Sequence, residues 1–223
     1  MKISVLQFPG TNCEYDTKYA FEQLGCDVQI IWHKEKDIPA DTDLLVIPGG
    51  FSYGDYLRSG AIARFANIMD SVQAYAANGG KVLGICNGFQ ILLEAGLLPG
   101  AMKRNDSLHF ISKYHTLKVV NTDNTFLSLL NKDDVLNIPV AHHDGNYYID
   151  ADGLKELEDN NQILLKYCDK DGHLVNMNGS VSNIAGICNK EKNVFGLMPH
   201  PERAIEDLLG SIDGINMLKG FLQ

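Results

Sequence analysis

Apolar residues in this chain fall into short runs closed by glycine or proline, and these runs alternate with stretches of helical periodicity. Ile3–Phe8 is mostly apolar, interrupted by Ser4 and Gln7, and reads as a buried strand. A helical stretch follows from about Tyr15 to Leu24 and stops at Gly25. Asp27–Trp32 reads as a second strand, and Asp43–Ile47 as a third that ends in Pro48-Gly49-Gly50. A long amphipathic pattern then runs from Ala61 towards Ala77 and closes at Gly79-Gly80. The strand Lys81–Ile85 and a helix over Gly88–Leu97 come next. Such alternation predicts an α/β fold: an open, mostly parallel central sheet with helices on both faces.

Further on, the pattern changes. Phe110–Val120, Asp134–Ala141 and Gln162–Tyr167 are strand-like with few helices between them, so they are expected as antiparallel additions to the sheet. Val194–Met198 is expected as a final strand and Glu202–Phe221 as a terminal helix. With no internal repeat, low-complexity tract or linker in the sequence, residues 1–223 are expected to form a single domain.

Composition narrows the function. Hydrophobic residues make up 45% and charged residues 21%, ordinary values for a globular chain, and the formal net charge is −9. Nucleic-acid and anionic-membrane surfaces call for a basic face, so neither is expected as a partner. The five cysteines (Cys13, Cys26, Cys86, Cys168 and Cys188) are odd in number, spread out, and contain no C-x-x-C pair. Neither a disulfide framework nor a metal site is expected from them. An apolar N-terminal stretch is cut short at Pro9-Gly10, before a signal-peptide core forms, and no run approaches the ~20 apolar residues of a membrane helix. A cytoplasmic address is expected.

One segment carries a chemical signal. In Lys81-Val82-Leu83-Gly84-Ile85-Cys86-Asn87-Gly88-Phe89-Gln90 a strand pattern ends at a cysteine between glycines, and a helical pattern starts at once. That is the layout of a nucleophile elbow, a tight strand-to-helix turn that presents its tip residue outside the sheet. It also sets the sulfur beside the first free N–H groups of a helix, where negative charge is favoured. A nucleophilic thiol needs a base, and the base needs an orienting group. His200-Pro201-Glu202, just after the last strand, offers both, with Pro201 limiting how far the two drift apart. Cys86 and His200 meet if their strands end at one sheet edge. An oxyanion needs donors, and backbone N–H groups of Gly49-Gly50-Phe51 together with that of Asn87 are the candidates.

The remaining candidates have plainer readings. Cys26, Cys168 and Cys188 lie in or beside apolar runs and read as structural, as does Cys13. His142 and His143 read as turn histidines, and His33, His109, His115 and His173 as surface or capping residues. Tyr53, Tyr56 and Arg58 read as a solvated polar loop. Asn105-Asp106-Ser107 and Asn178-Gly179-Ser180 match a glycosylation pattern that has no meaning without a secretory leader. Neither G-x-x-x-x-G-K-[ST] nor G-x-G-x-x-G occurs, so no nucleotide cradle is expected.

Taken together, Gly84-Ile85-Cys86-Asn87-Gly88-Phe89-Gln90 and His200-Pro201-Glu202 resemble the G-x-C-x-G-x-Q and H-x-E signatures of the class I, triad-type glutamine amidotransferases. The likeness extends from Val5 to Gly210. It is most discriminating over Gly49–Phe65, where it points to the branch of the family that serves a purine-biosynthetic synthase. His143-Asp144 departs from the glycine and glutamate usual there. The resemblance implies a flavodoxin-like fold and hydrolysis of L-glutamine to glutamate and ammonia through a Cys86 thioester, with His200 as acid–base and Glu202 orienting it. Gln90 is implied as a contact to the amino-acid end of the substrate. The chain is expected to hold no cofactor of its own. A large synthetase subunit using ATP and Mg²⁺, with a small bridging subunit, is implied to receive the ammonia and convert formylglycinamide ribonucleotide to formylglycinamidine ribonucleotide. Two alternatives remain at this stage. One is a glutaminase that feeds another synthase. The other is a non-catalytic interaction or stress-response module with an elbow cysteine, which the intact H-x-E pair argues against.

Overall fold

The computed structural model describes residues 1–223. In chain order the strands and helices are β1 (Lys2–Gln7), α1 (Glu14–Gln23), β2 (Asp27–Trp32), β3 (Leu44–Ile47), α2 (Ile68–Ala77), β4 (Lys81–Ile85) and α3 (Asn87–Glu94). They continue with β5 (Ala101–Lys103), β6 (Ile111–Val119), β7 (Val135–His142), β8 (Asn146–Tyr148), α4 (Ala151–Asp159), β9 (Ile163–Cys168), β10 (Ile184–Cys188), β11 (Val194–Leu197) and α5 (Gly214–Lys219).

Nine strands form one sheet in the order β2-β1-β3-β4-β11-β10-β9-β6-β7. The stretch from β2 to β11 is parallel, and β10, β9, β6 and β7 extend it in antiparallel fashion. The continuous apolar runs explain the parallel half. Leu44, Leu45, Val46 and Ile47 are all fully buried, and consecutive strand residues point to opposite faces, so both faces of β3 are covered. At the antiparallel edge, β7 alternates instead: Leu136, Ile138, Val140 and His142 are buried while the residues between them are not. A continuous cluster of 52 buried residues runs from Ile3 to Phe221. No helix is long and apolar enough to cross a membrane.

Two expectations need correction, and one helix has no counterpart among them. The helix expected from Ala61 starts only at Ile68, because Ala66 turns to an extended ψ of 144° after a short 3-10 turn at 63–65. The terminal helix expected over Glu202–Phe221 is broken into short turns at 201–203 and 207–209 before α5. Glu206 pairs with Ser211 across a loop, and the N–H of Gly214 bonds back to the carbonyl of Ala204, so the chain doubles over where a helix would run straight. Helix α4 was not expected at all. Its signal is the cap: the Asp150 carboxylate accepts from the N–H of Gly153 at 2.8 Å.

Parallel register decides what meets at the sheet's carboxyl edge. Ile47 of β3 pairs with Gly84 of β4, and Leu197 of β11 with Ile85 of β4. The segments leaving these strands, Pro48-Gly49-Gly50, Cys86-Asn87 and Met198-Pro199-His200, therefore emerge side by side. The Pro9–Cys13 loop after β1 joins them through a bridge between Thr11 and Gly50.

Candidate active site

Cys86 caps the N-terminus of α3 with φ 51° and ψ −105°, a sparsely populated conformation for a residue with a Cβ. Gly88 makes the turn sterically feasible: a Cβ there would sit 1.8 Å from the carbonyl oxygen of Ile47. The elbow is anchored by the N–H of Cys86 on the carbonyl of Leu197 at 2.8 Å and by the N–H of Gln90 on the carbonyl of Cys86 at 3.1 Å. Its sulfur lies 3.6 Å from the carbonyl oxygen of Ala141, at the end of β7.

His200 is held from both sides. Its backbone N–H donates to the carbonyl of Pro139 at 2.8 Å, and its Nδ1 lies 2.7 Å from Oε1 of Glu202. Both side chains are buried, and Nε2 of His200 has no partner within the protein. Burial by itself would disfavour the imidazolium. The Glu202 carboxylate and the Cys86 sulfur outweigh it, so the His200 pKa stands well above the ordinary histidine range. The site is therefore built to carry a positive imidazole beside a sulfur.

Two backbone N–H groups at this edge are unused. The N–H of Asn87 is the first of α3 and has no carbonyl within the helix to bond. The N–H of Gly50 is left free by its loop, whose hydrogen bonds run instead from Phe51 to Gly10 and from Asn12 and Cys13 to Gly49. The side chain of Asn87 ties the loop to the elbow. It accepts from the N–H of Ser52 at 3.0 Å and donates to Asp55 at 3.2 Å and to Oε1 of Gln90 at 2.9 Å.

Cys86, Gly50 and Gln90 border a cavity of about 280 Å³ that also has Phe51, Asp55 and Asp144 in its walls. That is small for a ligand site and suits a single amino acid. Its rim holds two carboxylates and one guanidinium, Asp55, Asp144 and Arg104. Burial, with Asp144 nearby, pushes the Asp55 pKa up to about 6. Ser59 donates to Asp144 at 2.9 Å, and Nε2 of Gln90 donates to the carbonyl of Asp144 at 2.6 Å. Gln90 thus lines the cavity with both ends of its amide already engaged. A cleft of about 240 Å³ elsewhere, walled by Leu97, Pro99, Ile149 and Lys190 among others, contains no cysteine, serine or histidine.

The structure brings Gly49, Gly50, Phe51, Cys86, Asn87, Gln90, His200 and Glu202 together at one edge. It also corrects several plainer readings. Cys13, read as structural, lies within the site: its Sγ accepts from Arg203 at 3.1 Å, and it shares a cluster with His200 and Glu202 whose donor atoms lie within 4.8 Å of one another. A Cβ on Gly49 would stand 2.8 Å from Cε1 of His200 and 3.0 Å from Sγ of Cys13, so only glycine fits between them. His33 is buried, and Nδ1 meets the hydroxyl of Tyr53 at 2.7 Å. Tyr53 is half-buried in a loop with left-handed φ at Tyr53, Asp55 and Leu57, which aims Asp55 at the cavity. His142 is a buried strand residue, not a turn histidine. Sequence reasoning missed Asp55 and Asp144, and the only available signal was their place near glycines and a histidine pair.

A strained cysteine elbow opposite a buried His–Glu pair, at the carboxyl edge of a parallel sheet, is the layout of a triad-type amidotransferase. The chain belongs to the glutamine amidotransferases, its residues 1–214 matching the CobB/CobQ-like glutamine amidotransferase domain. It is 68% identical over 223 residues, 100% of both chains, to phosphoribosylformylglycinamidine synthase subunit PurQ of Sulfurimonas denitrificans. It is 62% identical over 220 residues, 99% of both chains, to the subunit of that name from Wolinella succinogenes. Among solved structures it is similar to PurLQS from Thermotoga maritima, with a TM-score of 0.89 and 40% identity over 99% of this chain and 97% of that one.

Proposed function

We propose that the chain is the glutaminase subunit of phosphoribosylformylglycinamidine synthase and that Cys86, His200 and Glu202 carry its chemistry. The observation that bears most weight is the Cys86 elbow in the wall of a small cavity, with the buried His200–Glu202 pair close enough to its sulfur to be charged by it and two unused backbone N–H groups at the same sheet edge. Full-length identity to subunits of that name supports the assignment of the synthase.

The geometry supports the following reaction. Sγ of Cys86 forms a bond to the carboxamide carbon (Cδ) of L-glutamine, and the carbonyl electrons move to oxygen, held by the N–H groups of Gly50 and Asn87. As the tetrahedral centre collapses, His200 gives its proton to nitrogen, the C–N bond breaks, and ammonia leaves a glutamyl thioester. Water then attacks that carbon while His200 takes its proton. The C–S bond breaks, and glutamate departs. Glu202 keeps the imidazole oriented and its charge balanced throughout. Asp55 and Asp144 supply negative charge for the substrate's α-ammonium, and Arg104 supplies positive charge for its α-carboxylate.

Ammonia in neutral water is mostly protonated and no longer a nucleophile, so it must pass to its acceptor without meeting solvent. We place that acceptor on a large synthetase subunit that uses ATP and Mg²⁺ to convert formylglycinamide ribonucleotide, with a small bridging subunit completing the complex. The three-part name of the Thermotoga maritima structure fits such an assembly. The test is rapid quenching of the assembled complex with labelled glutamine, followed by mass spectrometry. A glutamyl group on the Cys86 peptide is expected, and turnover by the isolated chain should be far slower than in the complex. A glutamyl group on another residue, or an isolated chain as fast as the complex, contradicts the proposal.

A further inference from the structure

A second histidine borders the reaction space, and the chemistry above does not use it. His142, the last residue of β7, is buried at 3% exposure and lines the same cavity as Cys86 and Gln90. Its neighbour Ala141 presents the carbonyl that lies 3.6 Å from Sγ of Cys86. The charge of His200 is close enough to weaken proton binding at His142.

The tautomer of His142 is fixed by its neighbours. The Asn105 amide nitrogen donates to the carbonyls of His142 at 2.9 Å and His109 at 3.0 Å, which sets the amide's orientation. Oδ1 of Asn105, which also accepts the N–H of Gly145 at 3.1 Å, faces Nδ1 of His142 at 3.1 Å. Nδ1 must therefore carry the hydrogen. Burial, with the positive His200 beside it, lowers the His142 pKa to about 4, so the ring is neutral in ordinary solution. Nε2 then holds a bare lone pair. It is buried and has no partner within the protein, an arrangement that is costly unless a ligand supplies a donor.

The geometry points to His142 as the acceptor for the substrate's γ-carboxamide: its Nε2 takes an amide N–H and thereby selects the amide of glutamine over the carboxylate of glutamate. This inference rests on the glutaminase reading of the cavity. Glutamine has two sets of N–H donors, and the α-ammonium is matched by Asp55 and Asp144, which leaves the carboxamide for Nε2. Glutamate offers oxygen lone pairs at that position and meets repulsion, which favours product release. When the C–N bond breaks after proton transfer from His200, the nitrogen leaves as neutral NH₃. Nε2 accepts one of its N–H groups and has no proton to give, so the nitrogen stays a nucleophile.

The test compares L-glutamine with L-glutamate γ-methyl ester, which reacts at the same carbon but carries no N–H on its leaving group. In the assembled synthase, His142→Phe should lower kcat/KM for glutamine about 10- to 100-fold while ester hydrolysis changes only slightly. His142→Gln, which restores an acceptor oxygen, should recover part of the loss, and L-glutamate should inhibit the Phe variant more strongly than the wild type. Parallel loss of amide and ester hydrolysis in both variants, or an unchanged amide-to-ester ratio, overturns the inference. Ester hydrolysis that survives Cys86→Ala would instead overturn the glutaminase reading beneath it.

Discussion

Nδ1 of His200 stands 2.7 Å from Oε1 of Glu202 in a setting where neither side chain reaches solvent. An imidazolium there depends on its carboxylate, since burial alone would discharge it. Glu202→Gln should therefore cut glutamine turnover roughly 10²- to 10⁴-fold. It should also change how stability depends on pH. A histidine whose pKa is raised on folding contributes stability fully below its unfolded value of about 6.5, and that contribution is lost as pH rises through the folded value. Melting temperatures should show the wild type ahead of the variant in mild acid, with the gap narrowing as pH rises.

Asp55 also has a raised pKa, but here the fold favours the neutral form over the charged one. Its folded pKa of about 6 lies above the ordinary carboxylate value, so the protonated form is the more stable one, and stability is lost as pH rises from about 4, where the unfolded chain ionises, to about 6. Asp55→Asn should raise stability by on the order of 1–3 kcal/mol above pH 6, with the difference vanishing below pH ~4. The same variant should raise KM for glutamine, because a charge facing the α-ammonium is lost. Wild-type KM should itself climb as pH falls below about 6, and the variant's should not.

Two thiols lie near His200, and only one is placed to react. Cys13 is buried, which pushes its pKa up, and its sulfur is capped by Arg203 and Asn12. A glutamine-analogue electrophile should label Cys86 and leave Cys13 free, and glutamine should block the labelling. Peptide mapping that finds the label on Cys13 would reverse the roles assigned to the two.

The elbow depends on backbone contact. Because a Cβ on Gly88 would lie 1.8 Å from the Ile47 carbonyl, Gly88→Ala forces β3 and α3 apart. A stability loss of roughly 3 kcal/mol is expected in denaturant titrations, with glutaminase activity lost along with it.

The parallel half of the fold was legible because strands buried on both faces are near-continuous apolar runs, and Ile3–Phe8, Asp43–Ile47 and Lys81–Ile85 come close to that pattern. The candidate nucleophile and its His–Glu partners were legible for a related reason: the tight turn at Cys86 demands glycines, and His200-Pro201-Glu202 keeps base and carboxylate two residues apart. What could not be read was position in space. Cys13 sits beside His200 only because β1 and β3 are neighbours and the Thr11–Gly50 bridge folds one loop onto the other. Asp55 faces the cavity through left-handed φ values at non-glycine residues, which carry no sequence signature. The break in the terminal helix is not legible because a helical pattern of apolar residues does not reveal the Glu206–Ser211 pairing that causes it.

The most direct test of the account replaces Cys86 with alanine in the assembled synthase and compares two nitrogen sources. Synthesis supported by glutamine should fall to background while synthesis supplied with ammonium salt continues at the wild-type rate. Glutamine-dependent synthesis that persists in the variant would show that the thiol at the elbow is not the nucleophile.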